Sequence, residues 1–321
     1  MAINKNVLLL ETIAEEALVM LQDQVNVRTG YDRISLQKAV DKYPIHAIIT
    51  RGKGQINKAL LDACPALQTV ARCGVGLDNV DVHEATARNI SVIHAPASNA
   101  ATIAEHTLAL MLMLARNLYE SMQQVKNNNW NWRNQYNGDE LHGKTLGIIG
   151  MGNIGQRVAK LADAFGMNVI YSSRSAKDVP YLQVTQAELL QQADIVSLHL
   201  PYTAVTGALL GTAELALMKP TALLINTARG ALIDHEALAK ALNTNTLAGF
   251  AADVLPEEPP KHPDAVVDHP HTLITPHSGS LTATTYRQMC EYTITNVLAL
   301  LRDEKPESRS IYNFSALQKQ A

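Results

Sequence analysis

Several stretches of this chain place chemically capable residues at workable spacings. Gly150-Met151-Gly152-Asn153-Ile154-Gly155 follows an apolar run beginning at Thr145 and precedes a helical pattern over Gln156 to Phe165. A bare G-x-G-x-x-G is a weak signal; inside a strand–turn–helix–strand unit it fits a dinucleotide. Gly150 would permit the tight turn, Gly152 close approach of a pyrophosphate, and Gly155 close helix–strand contact. The helix start at Asn153 and Ile154 would add N–H groups and partial positive charge for the phosphates.

The next strand, Asn168 to Ser172, runs into Ser173-Arg174-Ser175. In an NAD-binding unit an acid at the end of this strand accepts hydrogen bonds from the ribose hydroxyls. Here the position holds Ser173, and no acid follows until Asp178. The repulsion that would exclude a 2′-phosphate is missing. Ser173, Ser175 and Arg174 offer donors to phosphate oxygens. The expectation is NADP in preference to NAD.

Arg229 follows the apolar run Ala222 to Thr227, and His277 follows Thr272 to Thr275. Ligands of open α/β sheets bind beyond the carboxyl ends of strands. A guanidinium there pairs bidentately with a carboxylate and polarises a neighbouring carbonyl. An imidazole delivers a proton near neutral pH. A carboxylate bonded to that imidazole orients it and favours its charged form. Glu257 and Glu258 both compete for that part. Taken singly, such an Arg, His or Glu is more often a structural or solvated residue. His262, His269, His271 and His277 lie on a proline-broken loop without matching Cys or carboxylate spacing, so no metal site is expected.

The elements that must position these residues alternate short apolar runs with helical patterns, which indicates α/β folding around parallel sheets buried on both faces. The runs are Val7 to Leu10, Ala47 to Thr50, Thr69 to Arg72, Ser91 to His94, Thr145 to Gly150, Asn168 to Ser172, Ile195 to Leu200, Ala222 to Thr227, Leu247 to Ala252 and Thr272 to Thr275. Thr102 to Glu105 has capping-box spacing and should open a buried helix to about Leu118. Leu281 to Leu301 reads as a second long helix. The expected division is a dinucleotide-binding domain at 100–287, inserted in a substrate domain made of 1–99 plus 288–321, with a cleft between them.

At 321 residues, 47% hydrophobic and 18% charged, the chain is long and apolar enough for two such domains. A net charge of -3 argues against an extended nucleic-acid footprint. No apolar run is long enough to span a bilayer, and no signal peptide is evident. Cys64, Cys73 and Cys290 are scattered and suit a reducing, cytoplasmic setting. Gly74-Val75-Gly76 follows a strand end, where small residues let N–H groups face an anion. Arg51-Gly52-Lys53 follows another; it either meets the distal end of a substrate or is a solvated loop.

In order along nearly the whole chain, several segments resemble the D-isomer-specific 2-hydroxyacid dehydrogenases, a family that includes 3-phosphoglycerate dehydrogenase and glyoxylate/hydroxypyruvate reductases. They are Cys73 to Asp81, Asn99 to Glu105, the glycine loop, His199-Leu200-Pro201, Asn226 to Gly230, Asp253 to Pro259, and Thr275 to Gly279. The resemblance implies two doubly wound domains, a Rossmann domain inserted in a flavodoxin-like one. It implies that Arg229, Glu258 and His277 are catalytic, with Glu258 chosen over Glu257. It implies that Val75 and Gly76 hold the substrate carboxylate. Thr102, Thr227 and Asp253 match cofactor-contacting positions, Asp253 near the nicotinamide carboxamide. The implied reaction moves a hydride between NAD(P)H and the C2 carbonyl of a small 2-oxo acid, giving the D-2-hydroxy acid. Glyoxylate or hydroxypyruvate is the expected substrate type and a homodimer the expected assembly. 3-Phosphoglycerate dehydrogenase activity and a dinucleotide-sensing corepressor role are the alternatives. No regulatory domain is expected after the last helix.

Overall fold

The computed structural model describes residues 3–203 and 207–319. The chain divides into two compact units, Met1–Asn99 with Leu281–Ala321, and Ala100–Ser280. The second change falls at 280/281, ahead of the expected 287/288. The reason is local. Helix Ala283–Leu301 is unbroken, is capped by the Thr282 hydroxyl, and lies along helix Glu15–Gln22 of the first unit.

The first unit holds strands β1 (Asn6–Leu9), β2 (Asn26–Thr29), β3 (Ile45–Thr50), β4 (Thr69–Arg72) and β5 (Ser91–Ile93). All pairs are parallel, in the order β2-β1-β3-β4-β5, the flavodoxin-like arrangement. Successive strand residues point to opposite faces, and here both faces are covered. Val7, Leu9, Ile49 and Ala71 pack with Ile294, Val297 and Leu298 of the last long helix. Leu8, Ile48, Val70 and Val92 pack on the other side with Leu60 and Leu61. That two-sided burial is why the strands read as continuous apolar runs.

The second unit holds β6 (Thr145–Ile149), β7 (Asn168–Ser172), β8 (Leu182–Gln183), β9 (Ile195–Leu198), β10 (Leu223–Asn226), β11 (Gly249–Ala252) and β12 (Thr272–Ile274). Their order is β12-β11-β10-β9-β6-β7-β8, again all parallel. This is the Rossmann order, with the switch of direction between β6 and β9. Leu146, Ile148, Ile195 and Ile225 meet Leu108, Met111 and Val158 on one face. Ile149, Val196, Leu224 and Phe250 meet Leu189, Leu238 and Leu242 on the other.

Two expectations about the helix near residue 100 need correction. It spans Ala100–Ala115, so Thr102 lies inside its first turn and is not its cap. It also stops before Leu118. Asn117, at φ 44°, breaks the chain direction, and a separate helix, Leu118–Lys126, follows. Among the described residues no helix is long and apolar enough to cross a membrane.

Candidate active site

β10, β11 and β12 are neighbours running the same way, so the segments leaving their carboxyl ends emerge side by side. Arg229 leaves β10, Glu258 lies on the loop after β11, and His277 follows β12. His277 Nδ1 sits 2.7 Å from Glu258 Oε2. The other carboxylate oxygen, Oε1, accepts the Leu255 N–H at 2.9 Å, which fixes the carboxylate plane. Glu257 is taken by Lys261 at 2.7 Å. Geometry therefore resolves the choice that residue types left open, and Glu258 is the partner of the imidazole.

The electrostatics follow. The hydrogen bond to Glu258 holds the His277 pKa above the ordinary imidazole value, against burial and the nearby Arg229 charge, which lower it. Burial pushes the Glu258 carboxyl up, but the bonds from His277 and from the Leu255 N–H outweigh it and the pKa is lowered. The pair thus favours an imidazolium beside a carboxylate. Arg229 donates from Nη1 to its neighbour's carbonyl, Ala228 O, at 2.6 Å.

The loops are braced from below. Asn226, fully buried at the end of β10, donates to Arg229 O at 2.9 Å and accepts the Ala228 N–H at 3.0 Å. Gly230 packs so closely on the backbone of Leu255 and Pro256 that no side chain fits there, which brings the Arg229 and Glu258 segments together. Asp253 is 2% exposed and clamps the turn that carries His277. Its Oδ1 accepts from Ser278 N at 2.8 Å and Thr275 Oγ1 at 2.6 Å, and its Oδ2 accepts from Gly279 N at 2.8 Å. Burial raises its pKa, but these bonds and that from His106 prevail and hold it below the usual carboxylate range. His277 itself adopts φ 51° within this turn.

The glycine loop leaves β6 at the switch point. Gly150 has φ 102°, and a Cβ there would run into the backbone of His199. The start of the next helix presses on Gly150 at Gly155, again leaving no room for a Cβ. A Cβ at Gly152 would meet open space, with nothing within 4 Å. Helix Asn153–Ala164 begins with no side chain capping its first turn, so the N–H groups around Asn153 and Ile154 are available to an anion. Asn153 Oδ1 accepts from Arg157 at 3.0 Å. The turn after β7 is held by Ser173, whose hydroxyl donates to Ser175 O at 2.6 Å. Arg174 is exposed, and Lys177 Nζ lies 3.2 Å from Ser175 Oγ. Thr227 bonds to Thr107 through their hydroxyls at 2.8 Å, and Thr102 is buried.

In the first unit, the Gly74 and Val75 carbonyls are engaged by Ala95 N–H at 2.9 Å and by His94 Nδ1 at 3.0 Å. Among the described residues no carbonyl accepts from the Val75 or Gly76 N–H. Beside it, Glu11 Oε1 fills a backbone nest. It accepts the N–H groups of Arg51, Gly52, Lys53 and Gly54 at 2.7–3.0 Å and the Thr50 hydroxyl at 2.8 Å. Burial raises the Glu11 pKa, but these donors outweigh it and lower it to about 2. The Arg51 guanidinium lies 3.9 Å from the same carboxylate and 3.4 Å from Tyr286 Oη.

A family profile described as D-isomer specific 2-hydroxyacid dehydrogenase, NAD binding domain, matches residues 108–279. The chain belongs to this family. It is 35% identical to a D-3-phosphoglycerate dehydrogenase of Methanocaldococcus jannaschii over 94% of this chain and 58% of the relative. It is 38% identical to a glyoxylate reductase of Thermococcus litoralis over 82% of each. Among solved structures it resembles an NADPH-dependent glyoxylate/hydroxypyruvate reductase of Sinorhizobium meliloti in complex with NADP and malonate, with a TM-score of 0.84 and 28% identity, covering 92% of this chain and 93% of that one. The chain spans about half the length of the phosphoglycerate dehydrogenases it matches, 58% and 53% for two archaeal ones.

The sequence singles out Arg229, Glu258 and His277, which lie on neighbouring loops, but not the residues that brace them. It gave no role to Asn226 or Glu11. A buried Asn at a strand end, and an acid closing the first apolar run opposite a Gly-rich loop, were the available signals. The other loop histidines are drawn to separate partners. His262 Nδ1 lies 3.4 Å from Asp268 and His269 stacks at a tilt on His271.

Proposed function

We propose that this protein interconverts a small 2-oxo acid and the D-2-hydroxy acid, using NADPH in preference to NADH, with glyoxylate or hydroxypyruvate as the substrate type. The observation that carries the reading is the 2.7 Å bond between His277 and Glu258 on strand ends beside that of Arg229. The cofactor fits the second unit: the open space at Gly152, the Gly150–Gly155 contact and the uncapped helix start form a cradle for a pyrophosphate.

When bound, the nicotinamide supplies or accepts the hydride. Arg229 binds the substrate carboxylate and polarises the adjacent carbonyl. The N–H groups of Val75 and Gly76 are proposed to hold that carboxylate as well. His277, as imidazolium, gives its proton to the carbonyl oxygen in reduction and takes it back in oxidation. Glu258 stabilises the charged ring and fixes its orientation. Thr102, Thr227 and Asp253 are proposed cofactor neighbours, although the Thr227 hydroxyl and both Asp253 oxygens already have protein partners.

Two features support the finer choices. The nest of N–H groups at 51–54 would suit a phosphate but is occupied by Glu11, which favours an unphosphorylated acid. The turn at 173–177 presents Arg174 and Lys177 without a carboxylate, which favours the 2′-phosphate of NADP. Helix Leu118–Lys126 exposes Leu118, Tyr119, Met122 and Val125, and an apolar face of this kind supports a homodimer.

A panel of 2-oxo acids, each run with NADPH and NADH and followed by nicotinamide absorbance, tests the reading. Glyoxylate or hydroxypyruvate should be reduced best, and with NADPH. Preference for 3-phosphohydroxypyruvate would overturn the substrate assignment. Chiral analysis of reduced hydroxypyruvate should give the D isomer; mainly L product would overturn the mechanism. Light scattering tests the dimer.

A further inference from the structure

Asp253 is not the last member of the clamp beneath His277. His106, on helix Ala100–Ala115, places Nε2 at 3.0 Å from Thr275 Oγ1 and 3.5 Å from Asp253 Oδ1. The Thr275 hydroxyl has one hydrogen, and its shortest contact is 2.6 Å to Asp253 Oδ1. Ala252 O, at 3.4 Å, can only accept, so a hydroxyl that gives its hydrogen to the carboxylate must accept from the imidazole. Nε2 of His106 therefore carries the hydrogen and donates to Thr275. The ring also backs the far end of the same turn: a Cβ built on Gly279 would lie 3.1 Å from His106 Cδ2. One imidazole thus bonds to residue 275 and occupies the space that a side chain at residue 279 would need, on either side of His277.

We propose that His106 is a positioning residue for proton transfer, setting the His277 turn through the Thr275 hydroxyl and by filling the space beside Gly279. The inference rests on His277 being the proton donor. His106 touches no reacting atom in this account. It supplies a donor that keeps the Thr275 hydroxyl turned to Asp253. Asp253 in turn holds the Ser278 and Gly279 N–H groups. Loss of that donor leaves the turn free to shift, and displacements near 1 Å at a reacting group cost about 10²-fold in rate.

The test uses the full chain with NADPH and its best 2-oxo acid. His106→Leu keeps bulk but removes the donor; kcat should fall about 10- to 100-fold while the Kd for NADPH, read by fluorescence titration, stays unchanged. His106→Gln places an amide N–H where Nε2 was and should restore most of kcat. Should His106→Leu fail to fold, His106→Asn, whose shorter amide does not reach, replaces it in the comparison with Gln. The inference is overturned if the donor-less variant keeps the parent kcat, or if His106→Gln is as impaired as His106→Leu. His277→Ala runs in parallel. If it retains turnover, the proton-donor assignment fails and this inference falls with it. If it is inactive while His106→Leu is intact, only the role of His106 is refuted.

Discussion

Glu11 offers a quantitative test because its environment is so one-sided. Its ordinary pKa of 4.5 drops to about 2 in the folded chain, a gap of about 2.5 units. At about 1.36 kcal/mol per unit, the folded state of the first unit gains about 3 kcal/mol from the ionised form. The side chain is 10% exposed, so little of this is screened away. The folded pKa is depressed, so the contribution is fully present above the unfolded value near 4.5 and is lost as pH falls towards 2. Glu11→Gln keeps an acceptor but removes the charge. At neutral pH the variant should be less stable by up to about 3 kcal/mol, and the gap should close on acidification. Both tryptophans, Trp130 and Trp132, belong to the second unit. Hydrogen exchange at the 51–54 amides is therefore the better readout, measured on both proteins across a pH series. Parallel loss of protection in the two proteins between pH 4.5 and pH 2 would refute the nest as a stabilising charge site.

The remaining predictions concern catalysis. His277→Ala should lower kcat by roughly 10²–10⁴-fold in single-turnover assays, with NADPH binding intact; near-parental turnover would remove His277 from the mechanism. Glu258→Gln removes the bond that raises the His277 pKa. Reduction needs the protonated ring, so its rate is lost as pH rises through that pKa. The alkaline limb of kcat/KM should therefore move to lower pH, and an unmoved limb would contradict the pairing. Arg174→Ala should cut kcat/KM with NADPH about tenfold or more, the scale of one lost charge-assisted bond, and leave NADH use little changed; equal losses with both would undo the NADP assignment. A methyl at Gly230 would overlap the Leu255–Pro256 backbone. Gly230→Ala should thus separate the Arg229 and Glu258 loops and cost about 10²-fold in kcat; activity within a few-fold of the parent would show that their spacing is not critical.

The fold was legible because two-sided burial writes itself as continuous apolar runs. Strands such as Thr69–Arg72 and Asn168–Ser172 coincide with their sequence readings. The strands that escaped, Asn26–Thr29 and Leu182–Gln183, are edge strands with polar, exposed residues, so no apolar run marks them. Thr102 misled because its spacing to Glu105 mimics a capping box, whereas the helix had already begun at Ala100. Arg229 and His277, proposed here as catalytic, stand out because each follows a strand end. Glu257 and Glu258 could not be separated by type, since neighbours in a loop differ only in direction; the bond to His277 separates them. His106 acts through a contact distant in sequence, with Thr275, which no local pattern records.

His277 adopts a left-handed backbone conformation without being glycine. A side-chain-bearing residue there costs of order 1 kcal/mol, so the turn is held in place by the bonds to Asp253 rather than by its own preference. The turn should therefore open at a lower temperature than the sheet beneath it. Under mild heating or low urea, turnover should fade while the strands and helices remain folded, and should return at once on dilution. The turn that carries His277 would then register denaturing stress before the rest of the molecule does.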